Sequence, residues 1–138
     1  MTIQQNQQKI ISEFSSFIDW NDLYQHIIAI GRAMPSYPDN YKIDNYLIRG
    51  CQSKVWLKAD RIGDRVIYSA DSDTAIIKGI IAILIQVFSE CKPEEIVNAD
   101  TKFMQEIGLK DFLAPTRANG LVAMIGQIQT YARQLISI

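Results

Sequence analysis

The sequence predicts an α+β domain in which several helices pack on a small antiparallel β-sheet. Three observations carry that reading. Apolar residues recur at helical spacing through the first third of the chain, change to a two-residue period in Val55-Trp56-Leu57-Lys58-Ala59-Asp60 and Val66-Ile67-Tyr68-Ser69-Ala70, and return to helical spacing from Ala75 onward. The resulting order, αα-βββ-ααα, segregates helices from strands along the chain, as α+β domains do. No repeat, low-complexity tract or long linker interrupts the 138 residues, a length that suits one core, so residues 1–138 are read as a single domain.

Ile10, Phe14 and Phe17 mark a first helix, and Trp20, Leu23, Tyr24, Ile27, Gly31 and Met34 a second. Asp19 is placed to cap the second helix by accepting a free backbone N–H, and Pro35 disfavours helical geometry in the residue before it. The run Pro35-Ser36-Tyr37-Pro38-Asp39-Asn40 reads as a loop. Val55-Trp56-Leu57-Lys58-Ala59-Asp60 then puts Val55, Leu57 and Ala59 on one face of a half-buried strand. Val66-Ile67-Tyr68-Ser69-Ala70 repeats the pattern after a turn through Gly63-Asp64, and Tyr46-Leu47-Ile48 offers a shorter third strand.

Asp71-Ser72-Asp73 supplies capping oxygens to a helix from Ala75 to Phe88 that is apolar nearly all round and therefore belongs at the centre. It contains Lys78 and Gln86 and is too short for a transmembrane span. Pro93-Glu94-Glu95 and Thr101-Lys102-Phe103 resemble starts of short helical turns. A last helix from about Arg117 carries Leu121, Ile125, Ile128, Ala132 and Leu135 on one stripe.

Charge and cysteine usage narrow the function. A net charge of −1 provides no broad basic field for nucleic acid, which is not expected as a partner. Cys51, Cys91 and His26 fall short of the four ligands of a structural zinc or iron–sulfur site, so no metal is expected within the chain. The cysteines form no C-x-x-C pair, and the polar N-terminus lacks the apolar core of a secretory signal. A reducing compartment is expected, cytoplasmic or an organelle equivalent, with no membrane attachment.

Cys51 is the leading chemical candidate. It lies in Arg49-Gly50-Cys51-Gln52-Ser53-Lys54, a loop between predicted strands, where Gly50 permits unusual backbone angles. The plain alternative is a small buried hydrophobe. As a nucleophile the residue must act as thiolate, and Arg49, Lys54 or Arg117 would lower its pKa if close to it. His26 as a partner for Cys51 would suggest hydrolase-like chemistry, but it falls in a helical pattern. Cys91 reads as a structural thiol, and helix capping accounts for Asp71-Ser72-Asp73 better than cation binding does.

Four ordered motifs extend the reading. They are Gly50-Cys51-Gln52-Ser53-Lys54-Val55-Trp56-Leu57, Asp71-Ser72-Asp73, Ile77-Lys78-Gly79-Ile80, and Leu113-Ala114-Pro115-Thr116-Arg117-Ala118-Asn119-Gly120-Leu121. With Trp20 and Gly31-Arg32-Ala33-Met34-Pro35 before them, they make the whole chain resemble the SufE family of sulfur-acceptor proteins. Thr116 stands where many relatives have serine, which keeps the hydroxyl.

The resemblance implies a fold similar to IscU-type scaffolds without their cluster ligands. It implies that Cys51 accepts persulfide sulfur from a SufS-like, pyridoxal-phosphate-dependent cysteine desulfurase, stimulates that enzyme, and passes the sulfur to a SufBCD-like iron–sulfur scaffold complex. The protein would be a stoichiometric carrier, with no cofactor of its own and pyridoxal phosphate on the partner only. Gly50, Gln52, Ser53, Asp71, Asp73 and Arg117 would shape the loop, its cavity or the docking face. The alternatives are a conformational activator that carries no sulfur, a carrier serving another sulfur-using pathway, and a cysteine hydrolase using His26.

Overall fold

In the computed structural model, residues 2–51, 53–102 and 115–136 are described, with side chains for all of these except 115–119. Among them five helices and a two-stranded sheet follow in the order α1 (Ile3–Ser15), α2 (Trp20–Arg32), β1 (Val55–Ile62), β2 (Arg65–Ser72), α3 (Ala75–Phe88), α4 (Pro93–Val97) and α5 (Pro115–Leu135). Two 3-10 turns, Asp39–Tyr41 and Asp44–Tyr46, lie between α2 and β1. This is the predicted α+β architecture, with one strand fewer.

Local chemistry starts each element. Thr2 and Gln5 form a reciprocal capping box at α1, with Gln5 N–H donating to Thr2 Oγ1 (3.1 Å) and Thr2 N–H to Gln5 Oε1 (2.9 Å). Asp19 caps α2 as expected, its carboxylate accepting from Asn21 N–H at 2.9 Å. β1 and β2 pair antiparallel with Ile62 opposite Arg65, so Gly63 and Asp64 make a two-residue turn. Gly63 holds φ +62° there, as the first central position of a type II′ turn requires.

The third strand is corrected. Tyr46 N–H and Leu47 N–H are drawn into the 3-10 turn, donating to Ile43 and Asp44 carbonyls at 3.0 and 3.2 Å. Only a bridge remains, in which Leu47 pairs with Trp56 and Ile48 N–H donates to Val55 O at 2.8 Å. The capping role of Asp71-Ser72-Asp73 is also corrected. β2 runs through Ser72, and Thr74 is the N-cap of α3 without a side-chain cap bond. The fragment Thr101-Lys102-Phe103 leaves the described residues after a turn at Lys102.

α3 is the centre. Ten of its fourteen residues are buried, and it packs on α2, β2, α1 and α5. The inner sheet face supplies Val55, Leu57, Val66, Tyr68 and Ala70 to the same core. α2 and α3 meet at glycine, since a Cβ on Gly79 would stand 2.2 Å from Ile27 O and one on Gly31 would stand 2.7 Å from Gly79 N. Any side chain at these two positions would force the helices apart.

α5 closes the core with Leu121, Met124, Ile128 and Ala132 buried and the predicted Ile125 and Leu135 partly buried against it, so Met124 is added to the predicted stripe. Two tyrosines fix its position over the sheet. Tyr68 donates its hydroxyl to Ile128 O at 2.6 Å, and Tyr131 donates to Leu57 O at 3.2 Å. Burial raises the pKa of both phenols, which keeps them protonated as donors at neutral pH. The first turns of α5 are thereby carried to the loop containing Cys51.

Candidate functional site

The described residues on either side of Cys51 are anchored at both ends of the segment between Ile48 and Val55. The bridge at Leu47 and Ile48 pins its entrance to β1. At its exit, Lys54 N–H donates to Asp73 Oδ1 at 3.1 Å, while Lys54 O accepts from Ser72 Oγ at 2.8 Å and from Asp73 N–H at 3.2 Å. The Ser53 and Thr74 hydroxyls share a 2.8 Å hydrogen bond, and Thr74 Oγ1 donates to Asp73 Oδ1 at 3.2 Å. Asp73 therefore holds the loop, a part that local spacing disguised as helix capping.

Gly50 turns the chain with φ +96°, a value that L side chains rarely adopt. The turn sets Cys51 half-buried against α5, where its S–H points at Gly120 O, 3.6 Å from the sulfur. Burial pushes the thiol above its ordinary pKa. Donation to a carbonyl acts in the same direction, because it stabilises the protonated form. The free protein thus holds Cys51 as a sheltered thiol, the opposite of the lowered pKa anticipated for a reactive cysteine.

A cleft of about 370 Å³ opens beside the thiol, with Asp44, Leu47, Arg49, Ser53 and Lys54 among its walls. Arg49 and Lys54 are exposed there. The structure therefore assembles Gly50, Cys51, Ser53 and Asp73 into one site. Arg117 belongs to the first turn of α5, one turn before Gly120, but its side chain lies outside the described residues, as does all of Gln52.

Asp71 does something different. It accepts from Lys42 Nζ at 2.8 Å and faces Lys78 Nζ at 3.3 Å, joining the segment before β1, the end of β2 and the start of α3. Burial alone would raise its pKa, but the Lys42 hydrogen bond, the Ser72 N–H and the Lys78 charge outweigh it and hold the carboxyl below its ordinary value. Lys42 also lies over the Trp56 ring, 5.8 Å from its centroid. Asp71 is a tie between elements.

His26 is engaged on the α1–α2 seam, with Nε2 2.8 Å from Glu13 Oε1 and its ring against Phe14 and Phe17. That geometry gives the hydrolase reading no base. Cys91 is buried, 1% exposed, in a bridge with Val66. Among the described residues no group of three or more His, Cys, Asp or Glu side chains is arranged to hold a metal ion. No helix among them is long and apolar enough to cross a membrane.

The family model described as "SufE: Fe-S metabolism associated domain" matches residues 8–132, which include the loop, both strands, α3, α4 and most of α5. The chain belongs to the SufE family. Its structure is also similar to the solution structure of a hypothetical protein from Thermus thermophilus, with a TM-score of 0.81 over 96% of this chain and 97% of that one at 19% identity. That likeness bears on the fold alone. Membership in the SufE family associates the chain with Fe–S metabolism.

Gly120 is the site residue that sequence reasoning missed. It stood inside the Asn119-Gly120-Leu121 motif without a part of its own, and its signal was a glycine within an otherwise helical pattern.

Proposed function

We propose that this SufE-family protein is a sulfur carrier that takes a persulfide sulfur from a pyridoxal-phosphate-dependent cysteine desulfurase onto Cys51 and delivers it to an iron–sulfur assembly scaffold. The supporting observation is the half-buried Cys51 thiol, on a loop anchored at both ends and turned toward the Gly120 carbonyl. Family membership supplies the metabolic setting.

In the transfer, the Cys51 thiolate attacks the terminal sulfur of the donor persulfide. A sulfur–sulfur bond to Cys51 forms, the donor's own sulfur–sulfur bond breaks, and the desulfurase thiolate leaves, with no external oxidant or reductant. The Cys51 proton must depart first. A thiol that is withdrawn and held protonated does not meet that demand, so docking of the desulfurase draws the loop outward and releases the thiol to solvent or to a base of the partner.

Shelter also protects the product, since sulfane sulfur is readily reduced or oxidised. One thiol suffices for this relay. Exchange through a single nucleophile needs neither a resolving cysteine nor a metal, and Cys91 is buried in the core. The test combines the protein with desulfurase, pyridoxal phosphate and cysteine and measures the intact mass. A reducible gain of one sulfur that is absent in Cys51→Ser supports the carrier, whereas undiminished desulfurase stimulation by Cys51→Ser with no adduct on the wild type supports a pure activator.

A further inference from the structure

We infer that Gly120 is a positioning residue for Cys51, its carbonyl oxygen and its missing side chain together forming the seat that holds the thiol withdrawn. The inference rests on the reading of Cys51 as the sulfur-accepting residue. Two independent features of one residue meet the same thiol. Gly120 O lies 3.6 Å from the sulfur, and a Cβ on Gly120 would lie 3.5 Å from Sγ and 3.9 Å from both Cα and Cβ of Cys51. The space a larger side chain would take is occupied by the cysteine.

One helical turn on, Ala123 continues the seat. A Cβ on Gly50 would stand 3.3 Å from Ala123 Cβ, so Gly50-Cys51 lies along the face of α5 that carries residues 120 and 123. A Cβ at residue 120 would already be in van der Waals contact with Cys51, so the seat leaves room for at most a methyl group and none for a larger side chain. Gly126 on the same helix has nothing within 4 Å of its would-be Cβ. The seat is fixed because Tyr68 and Tyr131 tie α5 to the sheet.

Among the described residues, the charged side chains around the thiol come from outside α5. Asp44 from the 3-10 turn, and Arg49 and Lys54 from the loop, line the cleft, and Asp73 lies behind the Lys54 amide. From α5 the residues shown facing the loop, Gly120 and Ala123, carry no charge. A change at residue 120 therefore reports on the seat without removing a charge.

The test is the pH profile of Cys51 alkylation by iodoacetamide in the full chain, with the modified residue located by peptide mass spectrometry. Gly120→Val places methyl groups about 1.5 Å beyond the Cβ position, inside the sulfur contact. It is expected to raise the rate near pH 7 by about threefold or more and to shift the profile's midpoint downward, because an unseated thiol is both exposed and more readily ionised. Gly120→Ala, whose Cβ makes an ordinary contact, is expected to stay within about twofold of wild type. Gly126→Val controls for helix propensity and is expected to leave the profile unchanged.

A wild-type profile in Gly120→Val, or the same gain in Gly126→Val, overturns the inference. If circular dichroism shows Gly120→Val unfolded, Ala123→Leu decides in its place by crowding Gly50, with the same gain expected and an unchanged profile overturning the inference. The alkylation readout involves no desulfurase. A seat supported here with no sulfur adduct on Cys51 refutes the carrier while leaving the seat in place, and the reverse result refutes the seat alone.

Discussion

The sulfur of Cys51 and the carbonyl oxygen of Gly120 meet at 3.6 Å across 69 residues of sequence. The elements on either side of that contact are tied in place. Tyr68 and Tyr131 fix the helix that carries Gly120, while the bridge at Leu47 and the bonds to Lys54 fix the two ends of the loop that carries Cys51. Of these restraints, those made by the Tyr68, Tyr131 and Asp73 side chains can each be removed by a single substitution.

Asp73→Ala removes the acceptor of the Lys54 amide, a charge-assisted bond at the loop exit. The loss of stability is expected to be about 1 kcal/mol, below the roughly 1.5–3 kcal/mol of buried bonds to charged groups because Asp73 is exposed. Amide hydrogen exchange at Lys54 is expected to accelerate and Cys51 alkylation to rise, while α3 keeps its protection because Asp73 does not cap it. Unchanged exchange at Lys54 would show that the loop does not depend on this anchor.

Gly79→Ala tests the helix crossing beneath the site. A methyl group 2.2 Å from Ile27 O cannot be accommodated without moving α2 or α3, and backbone offers no flexible end to yield. Overpacking costs about 1–3 kcal/mol, and a contact this close to rigid backbone belongs at or beyond the upper end, above the roughly 1 kcal/mol that alanine returns through helix propensity. Thermal unfolding is expected to shift downward by several degrees. An equal or higher midpoint would contradict the observed crossing.

Asp71 predicts a pH dependence. Its carboxyl is held below its ordinary pKa in the folded chain, so the stabilisation it provides is fully present above the unfolded value of about 3.9 and is lost as pH falls through the lower, folded value. Denaturant unfolding followed from neutral to acid pH is expected to show that loss, and Asp71→Asn to remove this part of the slope. Parallel curves for wild type and Asp71→Asn across the acid range would show that the Lys42 and Lys78 contacts contribute nothing.

The features legible in the sequence are those whose causes are local. The Asp19 cap, the Gly63-Asp64 turn and the apolar circumference of α3 each follow from a few adjacent residues, and the structure has all three. Tyr46-Leu47-Ile48 has the composition of a strand, but its amides close a 3-10 turn, a competition that alternation alone does not reveal. The carboxylates of Asp71 and Asp73 have the spacing of caps, yet their partners, Lys42 and Lys54, come from before β1 and from the loop. Gly79 was recognisable as part of a motif and Gly120 as a glycine in a helix, but what each one touches is set by packing between distant elements.

The most direct test of the central claim is intact mass spectrometry of the protein after incubation with its cysteine desulfurase, pyridoxal phosphate and cysteine. The predicted result is a gain of one sulfur that maps to Cys51, is removed by a reducing agent and does not form on Cys51→Ser. A chain that stimulates the desulfurase while its own mass never changes, or an adduct that persists in Cys51→Ser, would contradict it.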